Sequence, residues 1–386
     1  MVEEGMKTLS SILKGDFPRK VVKAIHTYAS MLDKINIMDF CGTHEWTITY
    51  NGIRTLMPDN VELIAGPGCP VCITPAYYVD YLIDLSLSNV TILTYGDSYR
   101  LPASIGKRPR TLAEAKEVGG DVIIVYSFLD AVRKAKSMDG DAVFFGVGFE
   151  TTMPSIASLL YADKVPPNMK ILSAYRYTPP VVKYLLNNVK GVKVDGIIAP
   201  GHVSAVIGAQ EWDFIPKEYR IPTVVAGFEA LDVLLAILHI MKMLIDEKPE
   251  LRNEYSRVVK WEGNIIAKKV INNVFEPYSG YWRGIGFIEQ GAARLTDKYR
   301  KFDAVDQYGL KDPPIDLSKE TIPGCKCSEV VLGKLRPTEC PLFMKACKPN
   351  TPYGPCMVSI EGTCRIWAEN PGIFKLKSLT KLLRQH

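Results

Sequence analysis

Residues 38–72 read MDFCGTHEWTITYNGIRTLMPDNVELIAGPGCPVC and follow one plan twice: an apolar run, a cysteine-bearing turn, then a helix-like segment. The first run, "INIMDF", ends at Cys41, and Gly42 and Thr43 supply a turn and a helix N-cap before "HEWTITY". The second, "VELIAG", passes through Pro67 and Gly68 to Cys69 and Cys72, ahead of the helical "AYYVDYLIDL". Such near-continuous apolar runs suit strands covered on both faces of a parallel sheet. Six more follow outward along the chain: "NVTILTYG", "DVIIVYS", "DAVFFGVG", "KILSAY", "DGIIAPG" and "PTVVAG". Their alternation with helical patterns predicts βαβ units and an α/β fold class.

At 386 residues the chain exceeds one ordinary core. Eight strands with their crossovers predict two parallel-sheet domains, residues 20–115 and 116–235, parted near "LPASIGKRPRTLAEA". Residues 236–386, with which 1–19 could pack, then form a third domain, mainly helix and loop. "GVGFETT" at 146–152 and "VAGFEAL" at 225–231 echo each other as strand-to-helix turns. A 47% hydrophobic content with 23% charged residues excludes a disordered chain. The net charge of +5 is spread along the sequence, which gives no reason to invoke nucleic acid. "MVEEGMKTLSSILKGDF" lacks the apolar core of a signal peptide, and "LDVLLAILHIMKMLI", interrupted by His239 and Lys242, reads as a buried amphipathic helix rather than a membrane span. A cytoplasmic setting follows, in which nine clustered cysteines point to metal or redox chemistry rather than a disulfide framework.

Six of the nine lie in C-x-C-x12-C-x6-C-x8-C-x7-C spacing from Cys325 to Cys364. By spacing, structural zinc and an iron-sulfur cluster stand level; either takes four ligands, leaving two thiols able to cycle between dithiol and disulfide. Cys41, Cys69 and Cys72 are different in kind. They sit at carboxyl ends of strands and at helix N-termini, where open α/β sheets place ligands and where the helix dipole favours a thiolate. Three readings compete: a closed Cys3His zinc site with His44, a C-x-x-C redox pair, or an open thiolate site that binds metal temporarily, with His44 or Glu45 handling protons.

Taken in order, "CGTHE" (41–45), "GPGCPVC" (66–72), "GFETT" (148–152), "PGHVS" (200–204) and the six-cysteine string resemble the hydrogenase maturation factor HypD family along nearly the whole chain. That resemblance implies two similar α/β domains and a third with a [4Fe-4S] cluster, in surroundings like those of ferredoxin:thioredoxin reductase. It implies a scaffold that, with the small partner HypC, assembles the Fe(CN)2CO group of [NiFe]-hydrogenase. Cyanide would come from HypE, supplied by HypF, and the group would pass onward to a hydrogenase large subunit. Carried onto this sequence, Cys41 is the ligand of the assembling iron, and Cys69 and Cys72 are a thiol pair that passes electrons from the cluster.

With the family in view, Cys340 and Cys347, which bracket "PLFMKA", and then Cys327 and Cys364 are the preferred cluster ligands. Cys325 and Cys356 remain as a second redox pair. His44 is expected beside the metal or in proton handling, and Glu45 either there or favouring the helix N-terminus. His202 suits a cleft or a turn, Glu150, Thr151 and Thr152 a strand end, and His26 and His239 apolar packing. No phosphate loop or complete dinucleotide fingerprint occurs. The reading from another class is a thiol-disulfide oxidoreductase resembling ferredoxin:thioredoxin reductase; a purely structural zinc protein is a third.

Overall fold

A computed structural model describes residues 15–310 and 317–370. All eight expected strands form: β1 Ile35–Asp39, β2 Val61–Ala65, β3 Thr91–Thr94, β4 Val122–Ile124, β5 Ala142–Gly148, β6 Met169–Tyr175, β7 Gly196–Pro200 and β8 Thr223–Ala226. They make two parallel sheets. One has the order β2-β1-β7-β8 with β9, Leu251–Asn253, at its edge; the other has the order β4-β3-β5-β6. The α/β class is therefore as expected, and every residue of β5 is buried, as strands covered on both faces require.

The sheets do not follow the expected division at residue 115. β1 pairs with β7, Ile37 opposite Gly196, so the first sheet closes across more than 150 residues of intervening chain. The second sheet, β3 to β6, is inserted between β2 and β7. An apolar run announces a buried strand but not its neighbour, which is set by register and by contacts such as the Asn36 N–H on Asp195 Oδ2 at 2.9 Å. Both sheets nonetheless share one winding: the second strand lies outside the first, and the next two extend the opposite way. On that plan β5 corresponds to β7, so the Gly-Phe-Glu echo after β5 and β8 falls on strands that are not equivalent.

The region from 236 is also less uniform than expected. Helix Ala230–Ile245 packs on the first sheet with helix Asp16–Ala29, sharing a core of Val21, Ile25, Val233, Ile237 and Met241. The described part of the N-terminus thus serves the first sheet; residues 1–14 lie outside the described residues, as does 311–316 of the Pro/Asp-containing passage. Strands β10 Phe275–Trp282 and β11 Gly286–Leu295 form an antiparallel hairpin beside β6, where Ser173 Oγ donates to Ala293 O at 2.5 Å. A bulge between Tyr278 and Gly280 breaks its alternation, which hides it from a reading by periodicity. The stretch 317–370, which contains the six C-terminal cysteines, is short helices and loop as expected. Among the described residues no helix is long and apolar enough to cross a membrane.

Candidate functional site

In the first sheet the winding reverses between β1 and β7, and an open α/β sheet has its ligand crevice outside the carboxyl ends at such a point. Cys41 stands there, as the extended N-cap residue of helix Gly42–Tyr50. The turn after β2 closes on it: Gly66 N–H donates to Asp39 O at 2.7 Å, and Gly42 N–H to Gly68 O at 3.3 Å. A Cβ at position 68 would lie 2.5 Å from the Cys41 amide nitrogen, so the close approach needs glycine.

One small cleft is lined by Cys41, Cys69, Cys72 and Cys356, together with Asp39, Glu45 and Glu361. Cys69 and Cys72 are joined as a disulfide, and Cys72 Sγ lies 3.9 Å from Pro355 O, beside Cys356. The fold therefore brings the three N-terminal cysteines together and sets a C-terminal one against them. Phe40, Cys69 and Cys72 share an apolar cluster with Cys327, Cys347, Cys356 and Cys364.

Burial, with the nearby Glu361 carboxylate, pushes the Cys41 thiol up to about 12, although the N–H groups of Thr43 and His44 pull the other way. The expected helix-terminus thiolate is thus corrected: desolvation outweighs the dipole, and a metal must displace a proton to bind. Asp39 is raised well above the usual carboxylate range by burial and by the charge of Glu45. Asp39 Oδ2 is buried without a hydrogen-bond partner.

His44 is fully buried and held down to about 4 by that burial. Its Nε2–H donates to Gly227 O at 2.9 Å and Ala226 O at 3.2 Å, and its ring stacks on Phe228, which stacks in turn on His202. The imidazole thus ties the helix after β1 to the end of β8 through Nε2, while its Nδ1 is buried without a hydrogen-bond partner. Glu45 is committed as well. Its carboxylate pairs with Arg54 Nη2 at 2.6 Å and accepts from Thr49 Oγ1 at 2.9 Å and Trp367 Nε1 at 2.6 Å.

His202 is exposed at the start of helix Gly201–Ile207, which follows β7, the strand paired with β1. Glu150 is buried and accepts from Thr178. His26 is exposed and bonds Leu56 O, and His239 meets Arg252, so neither is the apolar packing residue expected.

The six C-terminal thiols lie close together. Cys364 N–H donates to Cys356 Sγ at 3.3 Å, Cys327 and Cys364 each lie within electrostatic reach of Cys356, and Cys325 within that of Cys327, Cys340 and Cys347. The neighbouring Cys356 thiol and then burial raise Cys327 well above the ordinary thiol value. Among the described residues no three or more Cys, His, Asp or Glu side chains already stand as a metal-ligand set. The donor set itself, soft thiols on an apolar floor with no competing carboxylate among the six, fits an iron-sulfur centre in kind.

A family model for HypD, described as the hydrogenase formation hypA family, matches residues 16–370. The chain belongs to the HypD family. A Methanocaldococcus jannaschii protein named for hydrogenase expression and formation is 44% identical over 353 residues, covering 90% of this chain and 96% of its own length. Hydrogenase maturation factor HypD of Rhizobium leguminosarum bv. viciae is 38% identical, covering 94% of this chain and 95% of its own. The Escherichia coli factor of the same name is 38% identical, covering 89% and 91%.

In this HypD-family chain several site residues escaped the sequence reading. Asp39 was legible in principle, as a carboxylate closing an apolar strand two residues before Cys41. Glu361, Arg54 and Trp367 gave no local sign, because each reaches the site only through tertiary packing.

Proposed function

We propose that this chain works in hydrogenase maturation, the role its family membership supports, as the scaffold and redox protein on which the Fe(CN)2CO group of [NiFe]-hydrogenase is built. Cys41 receives the iron as cargo, shared with a HypC-like partner, and cyanide comes from a HypE-like donor supplied by HypF. The observation that carries the reading is the single cleft lined by Cys41, the Cys69–Cys72 pair and Cys356. Low-spin iron with CO and cyanide calls for an exchangeable thiolate site, and an extended cysteine at a crevice mouth suits it better than a closed cage.

Cys327, Cys340, Cys347 and Cys364 would hold a [4Fe-4S] cluster, which supplies single electrons when bound. Cys356 stands between those thiols and the cleft, and Cys325 remains its candidate redox partner. Reduction of the Cys69–Cys72 disulfide takes two electrons and two protons and returns two thiols. Cys41 gives up its own proton on taking up iron.

The test is an infrared spectrum of the full chain, purified without oxygen after co-expression with its small partner and the cyanide-supplying factors. CO and cyanide stretching bands that vanish in Cys41→Ala support the reading. Their absence, with partner binding confirmed, refutes it. The disulfide lying against Cys356 also favours a second reading, a thiol-disulfide oxidoreductase, under which Cys41→Ala keeps full thiol turnover.

A further inference from the structure

Two segments far apart in sequence are fastened along one line. The first is helix Gly42–Tyr50, which begins beside Cys41; the second runs from Glu361 through Cys364 to Trp367. At the helix start a Cβ on Gly42 would lie 2.6 Å from Glu361 O, so the two backbones touch. One turn on, Glu45 N–H bonds Cys41 O at 3.0 Å, and the Glu45 side chain turns toward Trp367. There Trp367 Nε1 donates to Oε1 at 2.6 Å and Arg54 Nη2 to Oε2 at 2.6 Å. The Arg54 guanidinium lies 5.1 Å over the Trp367 ring, while its Nε donates to Leu63 O on β2. Glu45, Arg54 and Trp367 therefore join the Cys41 helix, strand β2 and the cysteine-bearing segment at one buried carboxylate.

We propose that Glu45 is a positioning residue, which through Arg54 and Trp367 fixes Cys41 relative to Cys356 and Cys364 and so gives the iron thiol a single setting. The proposal rests on the reading that iron binds at Cys41. It assigns no proton transfer to Glu45, because both carboxylate oxygens already accept from fixed donors. Residues that orient a metal ligand from behind typically set affinity by about 10- to 100-fold. Two residues acting in one network lose that effect once rather than twice.

The experiment titrates Fe2+ alone, without oxygen, into the full chain and into Glu45→Gln, Trp367→Phe and the double variant, under conditions where circular dichroism shows all four folded. Metal at Cys41 is the difference from the same background carrying Cys41→Ala. Glu45→Gln keeps an acceptor for Trp367 but turns an amide toward Arg54; Trp367→Phe keeps the ring and loses its N–H. Each is expected to weaken Fe2+ about 10- to 100-fold, and the double variant no further. Wild-type affinity in Trp367→Phe alongside loss in Glu45→Gln overturns the proposal, as do fully additive losses.

If Cys41→Ala leaves Fe2+ binding unchanged in the wild-type background, the iron reading itself fails. The positioning role is then judged without metal, by iodoacetamide labelling of Cys41. Trp367→Phe is expected to speed labelling at least about tenfold, and an unchanged rate overturns the role. Should the variants not fold, hydrogen exchange on the wild type decides: amides of Gly42–Tyr50 and Thr363–Glu369 are expected to open in one step, and independent opening refutes the link.

Discussion

Glu150, in the "GFETT" turn after β5, permits a quantitative test of whether that motif is structural. Its carboxyl is buried, with Thr178 N–H donating to Oε1 and Thr178 Oγ1 contacting Oε2, each at 2.7 Å. Burial raises it from an ordinary 4.5 to about 7, the Thr178 hydrogen bonds offsetting part of the rise. A carboxyl raised by folding contributes fully below its unfolded value and loses that contribution as pH rises toward and through the folded value. At about 1.4 kcal/mol per tenfold in proton affinity, the gap amounts to roughly 3 kcal/mol lost between pH 4.5 and pH 8. Glutamine reproduces the protonated form, with an acceptor for Thr178 N–H and a donor for its hydroxyl. Wild type and Glu150→Gln should therefore differ by less than about 0.5 kcal/mol near pH 4.5, and the variant should lead by roughly 3 kcal/mol at pH 8. Urea melts of the full chain across that range measure the difference, with Trp282, which stacks on Phe149 next door, as a local fluorophore. Asp39, Glu254 and Glu361 are raised as well and bend the wild-type curve the same way, which is why the difference between proteins is the quantity to read. A difference that does not change with pH, or one favouring the wild type at pH 8, would refute the burial argument.

Gly68→Ala should cost about 1–3 kcal/mol in chemical denaturation and reduce Fe2+ bound at Cys41, because the added methyl meets that residue's backbone. Glu320→Ala should be harsher, about 3–5 kcal/mol by the same measurement, although Arg283 keeps its backbone acceptors. It removes the carboxylate paired with the buried Arg283 charge, side chains 4% and 6% exposed, and the acceptor of Ala76 N–H. Asp97→Ala removes an acceptor for Ser359 Oγ and Ile360 N–H, at 3.0 and 3.2 Å. Hydrogen exchange at residues 359–361 should quicken by about tenfold, matching a loss of about 1 kcal/mol or slightly more; an unchanged rate shows that other contacts hold the loop.

The eight strands were legible because each is a run of apolar residues bounded by turn formers, and such runs have few other uses in a chain of this composition. Which strands share a sheet was not legible. The partner of β1 is β7, a pairing decided by register and crossover geometry rather than by either run. The convergence of Cys41, Cys69 and Cys72 was readable, since both turns follow strands and neighbouring parallel strands end on one side. The states of the site residues were not. A helix N-terminus argues for a thiolate at Cys41 and a histidine beside it argues for proton transfer, but both arguments assume solvent. The C-terminal segment that removes the solvent comes some 320 residues later, and nothing near Cys41 announces it.

That segment explains why one chain needs two sheets of the same winding. The first sheet reverses between β1 and β7, at Cys41; the second reverses between β3 and β5, where Asp97 follows β3. Asp97 holds Ser359 and Ile360, and the next residue, Glu361, lines the Cys41 cleft. A loop of the third unit is thus pinned at one sheet's reversal and delivers its side chain to the other's. Inserting the second sheet within the first makes this arrangement stiff, because the chain enters and leaves the insertion through β2 and β7, which flank β1 on either side. A tandem pair of domains joined by one linker would let the two reversals swing apart. With two connections and a cysteine-bearing segment across the gap, the spacing between Cys41 and the sulfurs of Cys69, Cys72 and Cys356 becomes a property of the whole fold. Substitutions at Asp97, which holds one end of that segment from the second sheet, and at Trp367, at its other end, should therefore both change the reactivity of Cys41, although neither residue lines its cleft.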